Sequence, residues 1–235
     1  MRRSDGPTSV GESAPPRLVC FDLDGTLLAG TSVNLHLAAS LGRLAYVEPL
    51  EAAYLRGDLT VAELADATAR IYRGLSRRIV WRTLAVIPAI DGLEEVLGLL
   101  RRHRVRVLLA TCSWRFAAEF FQVRYGFDAV CGTVMDERRG RLSGVVSTCV
   151  DGPAKARFVA DYCARHRILS GDCVAIGNSG SDVPMFAAVG RSVALNGTRQ
   201  ARAAASVSVD TLDLADLLPW LVRTRTAAAL PVAAA

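Results

Sequence analysis

Arg17-Leu18-Val19-Cys20-Phe21-Asp22-Leu23-Asp24-Gly25-Thr26 runs from apolar residues straight into two carboxylates and a glycine. Arg17 to Asp22 has the length of a buried strand, and Asp24-Gly25-Thr26 is prone to turn. The stretch therefore reads as a core strand that delivers a functional loop. Gly25 lets the backbone approach a ligand closely, with Asp22 and Asp24 just ahead of it. An acidic turn without chemistry has the same local spelling, so the decision rests on segments further along the chain.

From about residue 33 to 86 the apolar spacing is helical: Leu35, Leu37 and Leu41, then Leu50, Ala53 and Tyr54, then Leu64, Ala67, Ile71 and Leu75. No convincing strand interrupts it. After Asp91-Gly92 the pattern alternates. It predicts helix 93–102, strand 105–110, helix 115–125, strand 129–132, a hairpin excursion over 133–149, helix 153–165 and strand 173–176. Such alternation implies an α/β fold with a parallel sheet and helices on both faces. Residues 1–16 and 226–235, rich in Gly, Ser, Pro and Ala without periodicity, are expected to be disordered tails. On an open parallel sheet, ligands sit beyond the carboxyl ends of the strands. The residues after Phe21, Ala110 and Ile176 should thus meet at one crevice.

Three further segments belong to that crevice. Ala110-Thr111-Cys112-Ser113 offers hydroxyls and free backbone amides close to a helix start, which suits an anion. Asp151-Gly152-Pro153-Ala154-Lys155 opens another helix, and Lys155 is the only lysine in a chain whose 28 basic residues are otherwise all arginine. An ammonium is a compact point charge where guanidinium is a broad fork, so a tight phosphate pocket favours lysine. Gly177-Asn178-Ser179-Gly180-Ser181-Asp182 is a polar loop with oxygen donors suited to a hard cation.

In order and placement, these four segments resemble motifs one to four of the haloacid dehalogenase superfamily, and most closely its phosphoserine phosphatase-like branch. The resemblance covers roughly residues 18–205. It implies a Rossmann-like core over 17–32 and 88–225, with a small α-helical cap over 33–87 inserted after the first strand. It implies a Mg2+-dependent phosphatase that hydrolyses a small-molecule phosphate monoester through an aspartyl-phosphate. Asp22 is then the nucleophile, and Asp24 the acid that protonates the leaving alkoxide and later activates water. Thr111 bonds a phosphoryl oxygen, and Lys155 neutralises the phosphoryl group and Asp22 together. Leu23, Gly25, Thr26, Cys112, Ser113 and Ser181 are expected around the substrate. Asp22, Asp24 through its backbone carbonyl, Asn178 and Asp182 are expected around Mg2+.

The sequence departs from the pattern at two places. The fourth motif of most relatives begins Gly-Asp and here begins Gly177-Asn178. The change should weaken metal affinity and give Asp182 a larger share. The glutamate that holds the serine amino group in phosphoserine phosphatases is replaced by Thr31, and the cap arginine that holds the carboxylate falls at Thr68, with Arg70 nearby. Phosphoserine itself is disfavoured.

Composition is that of a folded globular protein, 51% hydrophobic and 22% charged. The net charge of +5 is spread along the chain rather than clustered, which argues against nucleic acid. The six cysteines lack C-x-x-C spacing and read as reduced, mainly buried thiols. No apolar run reaches membrane-spanning length and the start lacks a secretory h-region, so a cytoplasmic location without membrane partners is expected. Two other readings use the same pocket: a phosphotransferase sharing the phosphoenzyme, and a catalytically weakened phosphate-binding protein motivated by Asn178. Oligomeric state is not readable.

Overall fold

The computed structural model describes residues 15–222. Both expected tails fall outside the described residues, apart from Pro15 and Pro16, as do positions 223–225 of the expected core. The chain runs β1 (Leu18–Phe21), α1 (Val33–Ser40), α2 (Leu44–Arg56), α3 (Val61–Tyr72), α4 (Arg77–Leu84), α5 (Leu93–Arg102), β2 (Arg106–Trp114), α6 (Arg115–Tyr125), β3 (Ala129–Arg138), β4 (Arg141–Thr148), α7 (Gly152–His166), β5 (Cys173–Gly177), α8 (Val183–Ala187), β6 (Arg191–Leu195), α9 (Arg199–Ala204), β7 (Val207–Val209) and α10 (Leu218–Leu221). The strands form one sheet in the order β4-β3-β2-β1-β5-β6-β7. All neighbours are parallel except β3 and β4, which are the antiparallel hairpin.

β1 lies at the centre and all four of its residues are buried. Its side chains alternate between the two faces, as the strand period requires. Val19 and Phe21 join the core packed against α5 and α6, while Leu18 and Cys20 join the smaller core under α7. Phe21 pairs with Leu109 on one side and Ile176 on the other. One step further, Asp22 stands level with Ala110 and Gly177, so three loops leave the sheet at one edge.

Helices α1 to α4 are inserted between β1 and α5. Each start has a local reason. The Ser32 hydroxyl accepts the Leu35 amide at 3.1 Å. Thr60 and Glu63 form a reciprocal capping box at the head of α3. Gly57, at φ 83°, ends α2 in the left-handed conformation. The buried face of α3 is Leu64, Ala65, Thr68, Ala69 and Tyr72. This corrects the face read from Ala67 and Ile71, because the helix packs on two partners, the hairpin and the neighbouring helix α2. The Gly74 amide donates to the Leu142 carbonyl and the Leu142 amide to the Leu75 carbonyl, both at 2.8 Å, and so stitch the insertion to β4. The Trp81 indole donates to the Phe116 carbonyl at 2.9 Å and ties α4 to α6.

Helices α5 and α6 match their predicted bounds, and α7 and β5 differ by a residue at the ends. β2 continues four residues past Ala110 to Trp114, with an irregularity in its pairing to β3 between those two residues. Thr111 to Ser113 therefore sit on an irregular strand extension. Strands β6 and β7 extend the sheet beyond the four strands and hairpin expected. Three of the six free cysteines, Cys20, Cys163 and Cys173, are buried, while Cys112, Cys131 and Cys149 are only partly so. Among the described residues no helix is long and apolar enough to cross a membrane.

Candidate active site

Asp22 sits at the tip of β1, with its amide donating to the Ile176 carbonyl at 2.8 Å and the residue only 5% exposed. Lys155 reaches it from the first turn of α7. Asp151 caps that helix by accepting the Ala154 amide at 2.8 Å, and the register carries Lys155 inward to full burial. Its Nζ donates to Asp22 Oδ1 at 2.7 Å and to Asp182 Oδ1. The Thr26 hydroxyl donates to the other Asp22 oxygen at 3.3 Å. One ammonium thus serves two buried carboxylates.

Burial, then the charge of Asp182, pushes the Asp22 carboxyl up to about 6 against the opposing pull of Lys155. Burial pulls Lys155 down, but Asp182 and Asp22 outweigh it and hold the ammonium well above its usual range. Asp24 Oδ1 accepts the Val33 amide at 2.8 Å, linking this residue to the start of α1. Burial, followed by the charge of Glu51, pushes Asp24 up to about 8. A carboxyl in that state keeps its proton near neutrality, as a general acid must.

A cavity of about 530 Å³ opens over these groups, between the sheet edge and helices α1 to α3. Asp22, Asp24, Gly25, Thr111, Cys112, Ser113, Asn178 and Ser181 line it together. Leu23, Thr26, Lys155 and Asp182 stand behind this wall. The Leu23 side chain belongs to the hydrophobic core and faces away from the cavity. Asp182 is fully buried, and its Oδ2 accepts the amides of Asn178 and Ser179 at 2.9 and 3.0 Å. With its other oxygen on Lys155, both are engaged, which leaves little for the larger metal share expected of it.

Among the described residues no three His, Cys, Asp or Glu side chains cluster as metal ligands. The donor set is mixed instead. Asn178 Oδ1 is buried without a hydrogen-bond partner among the described residues, and an orphaned acceptor costs roughly 1–3 kcal/mol. Its amide lies over Gly25. A Cβ on Gly25, at φ 75°, would stand 2.1 Å from Asn178 Nδ2. A carboxylate, an amide oxygen and a glycine that clears the approach fit a hard divalent cation. Ser113 Oγ is likewise buried and unpartnered, while Thr111 Oγ1 accepts the Ser113 amide at 3.0 Å and shapes the turn.

Two lining residues escape a sequence reading. Thr133 donates to the Cys112 carbonyl at 2.7 Å and accepts the Val150 amide at 3.0 Å, bracing the end of β2. Glu51, on α2, brings a third carboxylate to the cavity. The signal available for it is position: Tyr54 and Leu55, three and four residues on, face the same cavity. Thr31 lines the cavity too, whereas Thr68 is buried in α3 with its hydroxyl on the Leu64 carbonyl at 2.8 Å. Arg70 is exposed and absent from the lining, so it does not compensate for the missing arginine.

The profile of the haloacid dehalogenase-like hydrolases matches residues 19–187. A phosphoserine phosphatase of Mycobacterium tuberculosis is 28% identical over 194 residues, covering 82% of this chain and 47% of that protein. One of Streptomyces coelicolor is 29% identical over 210 residues, covering 89% and 51%. The chain spans about half the length of these two relatives. Among solved structures, a hydrolase of Salmonella enterica superposes with a TM-score of 0.82 at 17% identity, covering 90% of this chain and 73% of that one. A phospho-aspartyl intermediate analogue of a phosphoserine phosphatase gives 0.78 at 20% identity, covering 89% and 100%.

Proposed function

The chain belongs to the haloacid dehalogenase-like hydrolases, and from that premise we propose that it is a Mg2+-dependent phosphomonoesterase whose nucleophile is Asp22. The observation that carries the reading is the buried Lys155 ammonium 2.7 Å from Asp22 Oδ1, directly behind the cavity wall. A carboxylate and a phosphate dianion repel each other, and a desolvated ammonium beside both lowers that barrier. Helices α1 to α4 act as a cap over the site, excluding bulk water when substrate is held.

An Asp22 oxygen attacks phosphorus, forming an acyl phosphate bond while the bond to the leaving oxygen breaks. Asp24 gives its proton to that oxygen. Water then attacks the phosphoryl group as Asp24 takes its proton, and the bond to Asp22 breaks to release phosphate. Thr111 and Ser113 supply hydroxyls to phosphoryl oxygens. Asp22, the Asp24 backbone carbonyl and Asn178 would hold Mg2+, which supplies positive charge to the phosphoryl oxygens. Asp182 positions Lys155 and the amides of Asn178 and Ser179.

Asp22→Asn removes the nucleophile at nearly constant shape. Phosphate release from a panel of esters with Mg2+ should fall by about a thousandfold or more, with the fold intact by circular dichroism. Turnover within a few fold of wild type would overturn the assignment.

A further inference from the structure

We infer that Glu51 forms a carboxylate subsite for the ammonium group of an amino alcohol phosphate that has no carboxylate of its own. This rests on the phosphomonoesterase reading above and specifies its leaving group. Glu51 lines the same cavity as Asp22 and Asp24 but comes from α2. It is held rather than loose: Ser32 Oγ and Asn34 Nδ2 both donate to its Oε1, at 3.2 and 2.9 Å.

Asn34 can point in only one direction. Its Oδ1 accepts the Trp114 indole at 2.8 Å and the Tyr72 hydroxyl at 3.0 Å, which turns its NH2 toward Glu51. Trp114 is in turn fixed by stacking on Phe116, with ring centroids 5.7 Å apart. Glu51 Oε2 makes no hydrogen bond among the described residues and is not among the fully buried atoms, so one acceptor is left free toward the cavity. Burial raises the Glu51 carboxyl against the two hydrogen bonds it receives, and a cation beside it would reverse that.

The rest of the wall states what the ligand lacks. Among the described residues no lysine, arginine or histidine lines the cavity, and Lys155 is committed to Asp22 and Asp182. A substrate carboxylate would meet Glu51 with no cation to pair with. Leu35, Tyr54, Leu55, Val61 and Leu64 supply an apolar side to the cavity, suited to a hydrocarbon body next to the amine.

The test compares kcat/KM of the full chain with Mg2+ on phenylalaninol phosphate, its N-acetyl derivative, O-phosphoserine and p-nitrophenyl phosphate. Wild type should prefer the free amine over its N-acetyl form, and over O-phosphoserine, by about tenfold to a hundredfold, the range of a charge-assisted hydrogen bond. In Glu51→Gln, which keeps the acceptor for Ser32 and Asn34, the amine to N-acetyl ratio should fall to near unity, mainly through KM. A purely structural Glu51 would leave that ratio unchanged. Hydrolysis of p-nitrophenyl phosphate with no discrimination between amine and N-acetyl esters overturns this inference alone. No phosphate release from any of the four overturns both it and the phosphomonoesterase reading.

Discussion

Asn178 places a neutral oxygen at the cavity, and among the described residues that oxygen has no hydrogen-bond partner. Under the proposed reading Mg2+ would gain from that oxygen, but less than from an anion. Asn178→Asp should tighten Mg2+ binding by about tenfold, since ligand charge sets affinity at such sites. Calorimetric titration of Mg2+ without substrate checks it; unchanged or weaker affinity would place the metal elsewhere. At this scale legibility depends on rarity and position. Lys155 is readable because it is the only lysine, and Asp22 and Asp24 because they end an apolar strand. Glu51 is not, because a glutamate on an amphipathic helix has the spelling of a solvated residue. Its partners Ser32, Asn34 and, through Asn34, Trp114 meet it only after folding.

Among the elements, α3 depends most visibly on its first turn. The Thr60 hydroxyl accepts the Glu63 amide, and Glu63 accepts the Thr60 amide at 2.8 Å. Thr60→Ala should cost about 1 kcal/mol, and the loss should be concentrated in the insertion. Hydrogen exchange is expected to quicken in α3 and its neighbours while β1 and β5 keep their protection. Uniform acceleration across the sheet would mean that insertion and sheet open together. Strands with dense apolar runs, such as β1 and β5, are legible directly. β2 beyond Ala110 is not, since Thr111-Cys112-Ser113 spells a loop and becomes strand only by pairing of Trp114 with Thr133. β7, three residues at the sheet edge of which Ser208 is exposed and the two valines half-buried, exists through its ladder with β6, a contact that local sequence does not encode.

For the molecule as a whole, the site is a place where charge is held at a cost to stability. Glu51 has its carboxyl raised by burial, so the folded state binds its proton more tightly than the unfolded chain does. Stability from this group is complete below its unfolded value of about 4.3, and is lost as pH rises through the folded value. The melting temperature of Glu51→Gln, which has no such titration, should therefore rise relative to wild type between acidic and neutral pH. Scanning calorimetry of both proteins across that range checks the sign; a gap that stays constant or shrinks would refute it. The solitary ε-amine gives the chain a built-in spectroscopic reporter. Isotope-labelled lysine introduces a single side-chain resonance in the entire protein, from a group with no exposure to solvent. Its protons should exchange slowly enough to be observed, and titration with inorganic phosphate should move that one signal, giving occupancy of the reaction centre without assigning the rest of the spectrum.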